Sequence, residues 1–218
     1  TATGLILIIV GFWGFLMACM ILPGEGWSWS GSTGTTIYGT PMNLSALSYN
    51  ILMGIAGGII GAWLLNRDPF WMMSGALAGI ISVASGLDVY FPALAFIVAI
   101  IAGLLLRPAA KMLENFGIDD AVGAVTVHGT IGVYGMVVFG LFASGFPALF
   151  IENAPTISIL GQLVSAVVCS LCGFIPGYLI SLGLGGLGML RTPEAAELAG
   201  LDATKIPAQA YPEGIPAS

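Results

Sequence analysis

Charge is what this chain has least of. Five Lys and Arg, eleven Asp and Glu and a single histidine are spread over 218 residues, so charged side chains make up only 7% of the sequence. Average soluble chains carry roughly 25%, whereas hydrophobic residues here reach 57% and the mean hydropathy is +1.00. That excludes an ordinary soluble domain. Five basic residues form no stripe that a phosphate backbone could follow, so nucleic-acid binding is excluded too. The net charge of -6 is no acidic patch, because most carboxylates fall in expected loops and in the tail. Cysteine is scarce as well. Cys19, Cys169 and Cys172 all lie in apolar runs, and Cys169-x-x-Cys172 is half a zinc site with no second pair or neighbouring histidine to complete it. They are read as packing residues, with no metal site and no cofactor expected.

What the chain does have is long apolar runs and 32 glycines, many inside those runs. A membrane helix needs about 20 apolar residues, and small residues within it let backbones approach closely. The pairs Gly54 and Gly58, Gly57 and Gly61, and Gly75 and Gly79 carry that small-xxx-small spacing. The expected fold class is all-α integral membrane, with spans at 5–22, 46–66, 70–87, 90–107, 121–143 and 156–189. Pro176 and the run Gly183, Gly185, Gly186, Gly188 predict a kink in the last span, or an end that leaves the bilayer. Residues 1–190 are read as the helical bundle and 191–218 as a polar, proline-rich tail.

The basic residues orient this array. Arg67, Arg107, Lys111, Arg191 and Lys205 all fall on one side, while the segments 23–45, 87–90 and 144–155 contain no Lys or Arg. The positive-inside rule makes the basic side cytoplasmic, with both chain ends there and the protein in a plasma or inner cell membrane. Trp27 and Trp29 in the first outer segment fit an interfacial belt, and Asn43-Leu44-Ser45 matches a glycosylation sequon, a pattern common by chance. Residues 4–22 are read as a span rather than a signal-peptide core, since no charged residue precedes them. The missing initial Met implies sequence upstream of Thr1.

The only histidine, His128, lies within the fifth span, two helical turns beyond Asp119 and Asp120. An ionisable group at that depth marks a substrate or proton pathway, or else a core imidazole bonded to a neighbouring helix; position alone leaves both open. Asp119 and Asp120 are expected to cap the helix start. Helical spacing predicts Asp120, Ala124, His128 and Gly132 on one narrow face. On the first span, Phe12-Trp13-Gly14-Phe15 is either a lipid or core contact or an aromatic constriction able to hold a cation.

Three segments carry a resemblance to a known family. Gly117-Ile-Asp-Asp-Ala-Val-Gly-Ala-Val-Thr-Val-His128-Gly-Thr-Ile-Gly-Val-Tyr-Gly, continuing to Gly140-Leu-Phe-Ala143, closely resembles the histidine-bearing helix of ammonium transporters. Ser74-Gly-Ala-Leu-Ala-Gly79, Ser85-Gly-Leu-Asp-Val-Tyr-Phe-Pro92 and Ala102-Gly-Leu-Leu-Leu106 are similar to a preceding helix pair. Arg191-Thr-Pro-Glu-Ala-Ala-Glu197-Leu-Ala-Gly200-Leu201-Asp202, with Tyr211, resembles the family's cytoplasmic tail.

The resemblance implies a trimeric fold of two inverted five-helix repeats plus a last long helix. The six spans here would be helices six to eleven of it. His128 would be one of a pair of pore histidines, its partner belonging to the first repeat. Phe15 would be one of two gate phenylalanines, with Trp13 and Cys19 at the site where ammonium is recruited. Two departures blunt that site: Leu16-Met17-Ala18-Cys19 stands where the family has Asn-Ala-Gly-Ser, and Phe12-Trp13 inverts the family's Trp-Phe. A thiol is a weaker hydrogen-bond partner than a hydroxyl. The implied function is conduction of ammonium or ammonia through a pore shared with a first half, not enzyme chemistry. The alternative is a half subunit serving as a structural or docking part of a larger membrane complex. Expected partners are the lipid bilayer, like copies in a homotrimer or a chain carrying the first half, and a PII-type regulator at the tail. The tail motifs are equally suited to contacts between trimer neighbours.

Overall fold

The helices start where a side chain or a proline can satisfy the first free N–H groups, and they continue as far as a buried apolar face lasts. The computed structural model describes residues 2–19, 29–31, 34–148 and 152–201. Helix α1 is Ala2–Ala18, β1 Gly34–Thr35, β2 Pro41–Met42, α2 Leu44–Leu65, α3 Pro69–Val83, α4 Pro92–Asn115, α5 Ile131–Phe142, α6 Ile159–Gly186 and α7 Glu194–Ala199. A 3-10 turn, Ala84–Gly86, extends α3, and a π-helical turn, Val125–Thr130, leads into α5.

Asn43 caps α2 by accepting from the Ala46 backbone N–H at 2.9 Å. The amide of the sequon is therefore committed to a helix terminus. Asp68 caps α3, accepting from Phe70 at 2.8 Å and Trp71 at 3.3 Å, with Pro69 opening the helix where its missing N–H costs nothing. The strands pair antiparallel, Gly34 with Met42 and Thr35 with Pro41. This small hairpin is tied to the segment before α4. The Ile37 N–H donates to the Val89 carbonyl at 2.9 Å, and the Tyr38 and Phe91 rings meet edge to face at 4.7 Å.

Among the described residues, five helical stretches are long and apolar enough to cross a membrane: Leu44–Leu65, Pro69–Gly86, Pro92–Asn115, Val125–Phe142 and Ile159–Gly186. The described part of the first expected span, Ala2–Ala18, is a shorter apolar helix. Its last residues, 20–22, lie outside the described residues, as do Trp27 and the tail positions Asp202, Lys205 and Tyr211. Three boundaries differ from the sequence expectation. Helix α4 continues to Asn115, eight residues past the expected end at 107, through Pro108. Ala109, Ala110 and Leu113 keep its inner face buried while Pro108 itself is exposed, so Arg107 and Lys111 belong to helix rather than loop. The fifth helix begins at Ala124 rather than 121. Finally, α6 runs through Pro176 as one helix and stops at Gly186, beyond which Gly188 takes φ +68°.

The chain divides into two compact units, Thr1–Val168 and Cys169–Ser218. In the first, α2, α3 and α4 pack most closely together. Glycine makes this possible at the α2–α3 crossing, where a Cβ on Gly58 would collide with the Gly75 carbonyl and lie 2.8 Å from the Gly79 Cα. The core of this unit has two parts. One gathers Met42, Leu47, Ile51, Val83, Tyr90 and Phe139; the other gathers Ala62, Leu77, Leu106, Val127 and Ile131. Asn50, fully buried, bridges α2 to the segment before α4 by donating to the Leu87 and Tyr90 carbonyls at 2.9 and 2.7 Å. In the second unit, Arg191 and Glu197 form an exposed ion pair at 3.9 Å beside α7.

Candidate functional site

Gly123 at φ +72° turns the chain sharply just before the fifth helix, and Asp120, three residues earlier, closes the helix start. Its Oδ1 accepts from the Val125 N–H at 3.1 Å. Its Oδ2 accepts from the Thr126 N–H at 2.8 Å and from the Thr126 hydroxyl at 2.9 Å. Partial burial works against the Asp120 carboxylate, but these hydrogen bonds from Thr126 and Val125 outweigh it and hold its pKa below the usual value. The capping bonds belong to Asp120; Asp119 beside it is exposed. Both carboxylates line a cavity of about 170 Å³ with Phe70, Trp71 and Glu114.

Because Asp120 precedes the helix, it does not share a helical face with His128 as the spacing predicted. The intervening turn is π-helical: the Ile131 N–H bonds to the Thr126 carbonyl, five residues back. A π-turn changes which residues fall on which face and is frequent at functional sites. Thr126 and Val127 turn inward, while His128 is exposed on the outer side of this helix.

His128 forms one wall of a cavity of about 310 Å³, lined mainly by apolar groups of α1, α3 and the Val122–Ala124 turn, among them Leu5, Ile8, Leu77 and Val127. Its two polar lining side chains are His128 and Ser74. Phe12 tilts over the imidazole with ring centroids 6.5 Å apart. Phe12 in turn meets Phe15 edge to face at 6.0 Å, and Phe15 is 61% exposed. The aromatic steps Phe15, Phe12 and His128 are thus contiguous. The sequence reading singled out Phe15 and passed over Phe12, although the three-residue spacing on α1 was the available signal. It also passed over Ser74, whose role could not be read from an apolar run.

Trp13 and Cys19 stand apart from this line. The Trp13 indole N–H donates to the Ser48 hydroxyl at 3.2 Å, and that hydroxyl donates to the Met17 sulfur at 3.5 Å. Trp13 is thereby fixed to α2. Cys19 is an exposed free thiol just past the end of α1. Among the described residues, no three His, Cys, Asp or Glu side chains gather where they could hold a metal ion. What the arrangement can do chemically is specific: aromatic faces attract a cation, and one imidazole offers hydrogen bonding to a small polar solute inside an apolar cavity.

Comparison with known proteins points the same way. The sequence pattern of the Ammonium Transporter Family matches residues 1–211. The chain is 37% identical over 163 residues to the ammonium transporter Amt2 of Methanocaldococcus jannaschii, covering 74% of this chain and 38% of that protein. To the ammonium transporter of Bacillus subtilis it is 30% identical over 171 residues, covering 74% of this chain and 42% of that one. A solved structure described as a sensor Amt protein superimposes with a TM-score of 0.64 at 25% identity, over 74% of this chain and 42% of the other. The chain therefore spans less than half the length of these relatives.

Proposed function

Because the chain belongs to the Ammonium Transporter Family and is a multi-pass membrane protein, we propose that it forms one half of the wall of an ammonium-conducting pore, the other wall coming from a first half. The observation that carries this reading is the contiguity of Phe15, Phe12 and His128 along one side of an apolar cavity. Ammonium reaching Phe15 and Trp13 meets ring faces that partly replace its hydration. Beyond the phenylalanines the apolar lining disfavours a charged species, so ammonia continues and its proton is left behind. The imidazole of His128 then supplies a hydrogen bond where the wall otherwise offers few.

In this reading the six spans are helices six to eleven of the family fold, residues 1–190 form the membrane bundle, and residues 191–218 form a cytoplasmic tail. Both chain ends face the cytoplasm of a plasma or inner membrane. Protomers associate as a homotrimer, and a PII-type protein or a neighbouring protomer engages the tail. Cys19 receives ammonium less well than a serine would, so recruitment leans on the aromatic groups.

The test is uptake of labelled methylammonium by the complete protomer in proteoliposomes, with and without His128→Ala. Selective uptake should fall by at least tenfold in the variant. Uptake equal to wild type would remove His128 from the pathway and the pore reading with it.

A further inference from the structure

Helix α3 carries two buried serines whose hydroxyls are treated differently. Ser82 donates back to the Gly79 carbonyl at 2.8 Å, three residues earlier on its own helix. That is the usual way for a hydroxyl inside an apolar helix to be satisfied. Ser74 is as deeply buried, 1% exposed, yet its Oγ has no hydrogen-bond partner among the described residues. The carbonyls of Phe70 and Trp71, one turn earlier, are the equivalent local acceptors, and Ser74 does not use them. An unsatisfied buried hydroxyl costs about 1–3 kcal/mol, so leaving it free calls for a reason.

Its position supplies one. Ser74 lines the same cavity as His128, and the two are the only polar side chains among the residues lining it. The geometry points to Ser74 as a second hydrogen-bonding station in the cavity: we propose that its hydroxyl contacts the small neutral solute, ammonia, that His128 also contacts. This rests on the pore reading above and adds a specificity-determining residue to it. A hydroxyl suits that role because it both donates and accepts. It can receive a hydrogen bond from an N–H of ammonia or give one to its lone pair, whichever His128 leaves unmet. An apolar gas gains nothing from such a group, so the pair discriminates by hydrogen bonding as well as by width.

The experiment pairs transport with stability in the complete protomer. Ser74→Ala, Ser74→Thr and Ser82→Ala are compared with wild type for methylammonium and ammonium flux in proteoliposomes and for thermal midpoint in detergent. Ser74→Ala should lower flux about three- to tenfold, the factor that one neutral hydrogen bond represents. Its thermal midpoint should stay level or rise, because an unsatisfied hydroxyl has been removed. Ser74→Thr keeps the hydroxyl and should recover most of the flux. Ser82→Ala should do the reverse, losing stability with little change in flux. Wild-type flux in Ser74→Ala, or equal loss in the Ala and Thr variants, overturns the assignment and leaves the pore reading standing. A wild-type protomer that carries no ammonium overturns both.

Discussion

Asp120 and Thr126 are joined twice, one carboxylate oxygen accepting from both the backbone N–H and the hydroxyl of the threonine at 2.8 and 2.9 Å. The aspartate's other oxygen takes the Val125 N–H. This clamp fixes where the helix bearing His128 begins, and so how far the imidazole stands from the start of its own segment.

Removing the clamp should be visible in stability and in its pH dependence. Partial burial acts to raise the Asp120 pKa, but the Thr126 and Val125 hydrogen bonds prevail and lower it from 3.8. A carboxylate with a lowered folded pKa contributes stability that is fully present above its unfolded pKa. The contribution is lost as pH falls through the folded value. Asp120→Ala should therefore cost about 1 kcal/mol at neutral pH, as for other lost helix caps. The gap in thermal midpoint between wild type and variant should narrow in acid. A gap independent of pH would show that the carboxylate charge does not matter.

Asp88 should behave in the opposite sense. It lies between α3 and α4, outside the membrane-crossing stretches, and burial pushes its carboxyl up from 3.8 to about 6. A backbone hydrogen bond of its own offsets this only in part. Here the folded state holds its proton more tightly than the unfolded chain. The associated stability is complete below about 3.8 and is lost as pH rises through about 6. Asp88→Asn should thus match wild type in acid and exceed it by several degrees of thermal midpoint at neutral pH. Equal midpoints for the two proteins at neutral pH would contradict this.

The α2–α3 crossing gives a prediction about packing. Gly58→Ala places a methyl against the Gly75 carbonyl and the Gly79 backbone, where no flexible side chain can move aside. Overpacking of this kind costs about 1–3 kcal/mol, so folded yield and thermal midpoint should both drop. Gly14→Ala is the control. It has nothing within 4 Å of the added methyl, and alanine favours a helix over glycine. Comparable losses in both variants would mean that the crossing is not the cause.

The comparison of sequence with structure divides along physical lines. Helices α2, α3, α4 and α6 were legible because apolar runs of membrane-crossing length bounded by Asn43, Asp68, Pro92 and the glycines near 183–188 leave little choice of element. The extension of α4 beyond Arg107 was not. A charge followed by Pro108 reads as a loop, while the buried face of Ala109, Ala110 and Leu113 depends on neighbours that a sequence does not display. In the site, His128, Phe15 and the acidic pair stood out by rarity or by resemblance. Phe12 and Ser74 did not, because their roles arise from contact between α1, α3 and the fifth helix. The π-turn was equally hidden, since nothing in Val125–Thr130 distinguishes one extra residue in a turn from regular helical winding.

That π-turn has a consequence for how the fifth helix tolerates change in length. An α-turn holds 3.6 residues, so one residue more rotates everything beyond it by about 100° relative to an unbroken helix. The structure accommodates a surplus residue between two fixed anchors, the Asp120 clamp before it and Ile131 with Gly135 packed inward after it. Deleting one residue from Val125–Thr130 would let the turn relax to ordinary winding without disturbing either anchor, and the helix would survive. The imidazole would not keep its bearing, however, and would swing away from the cavity. Length in this segment is thus a tuning screw for where the side chain at 128 points.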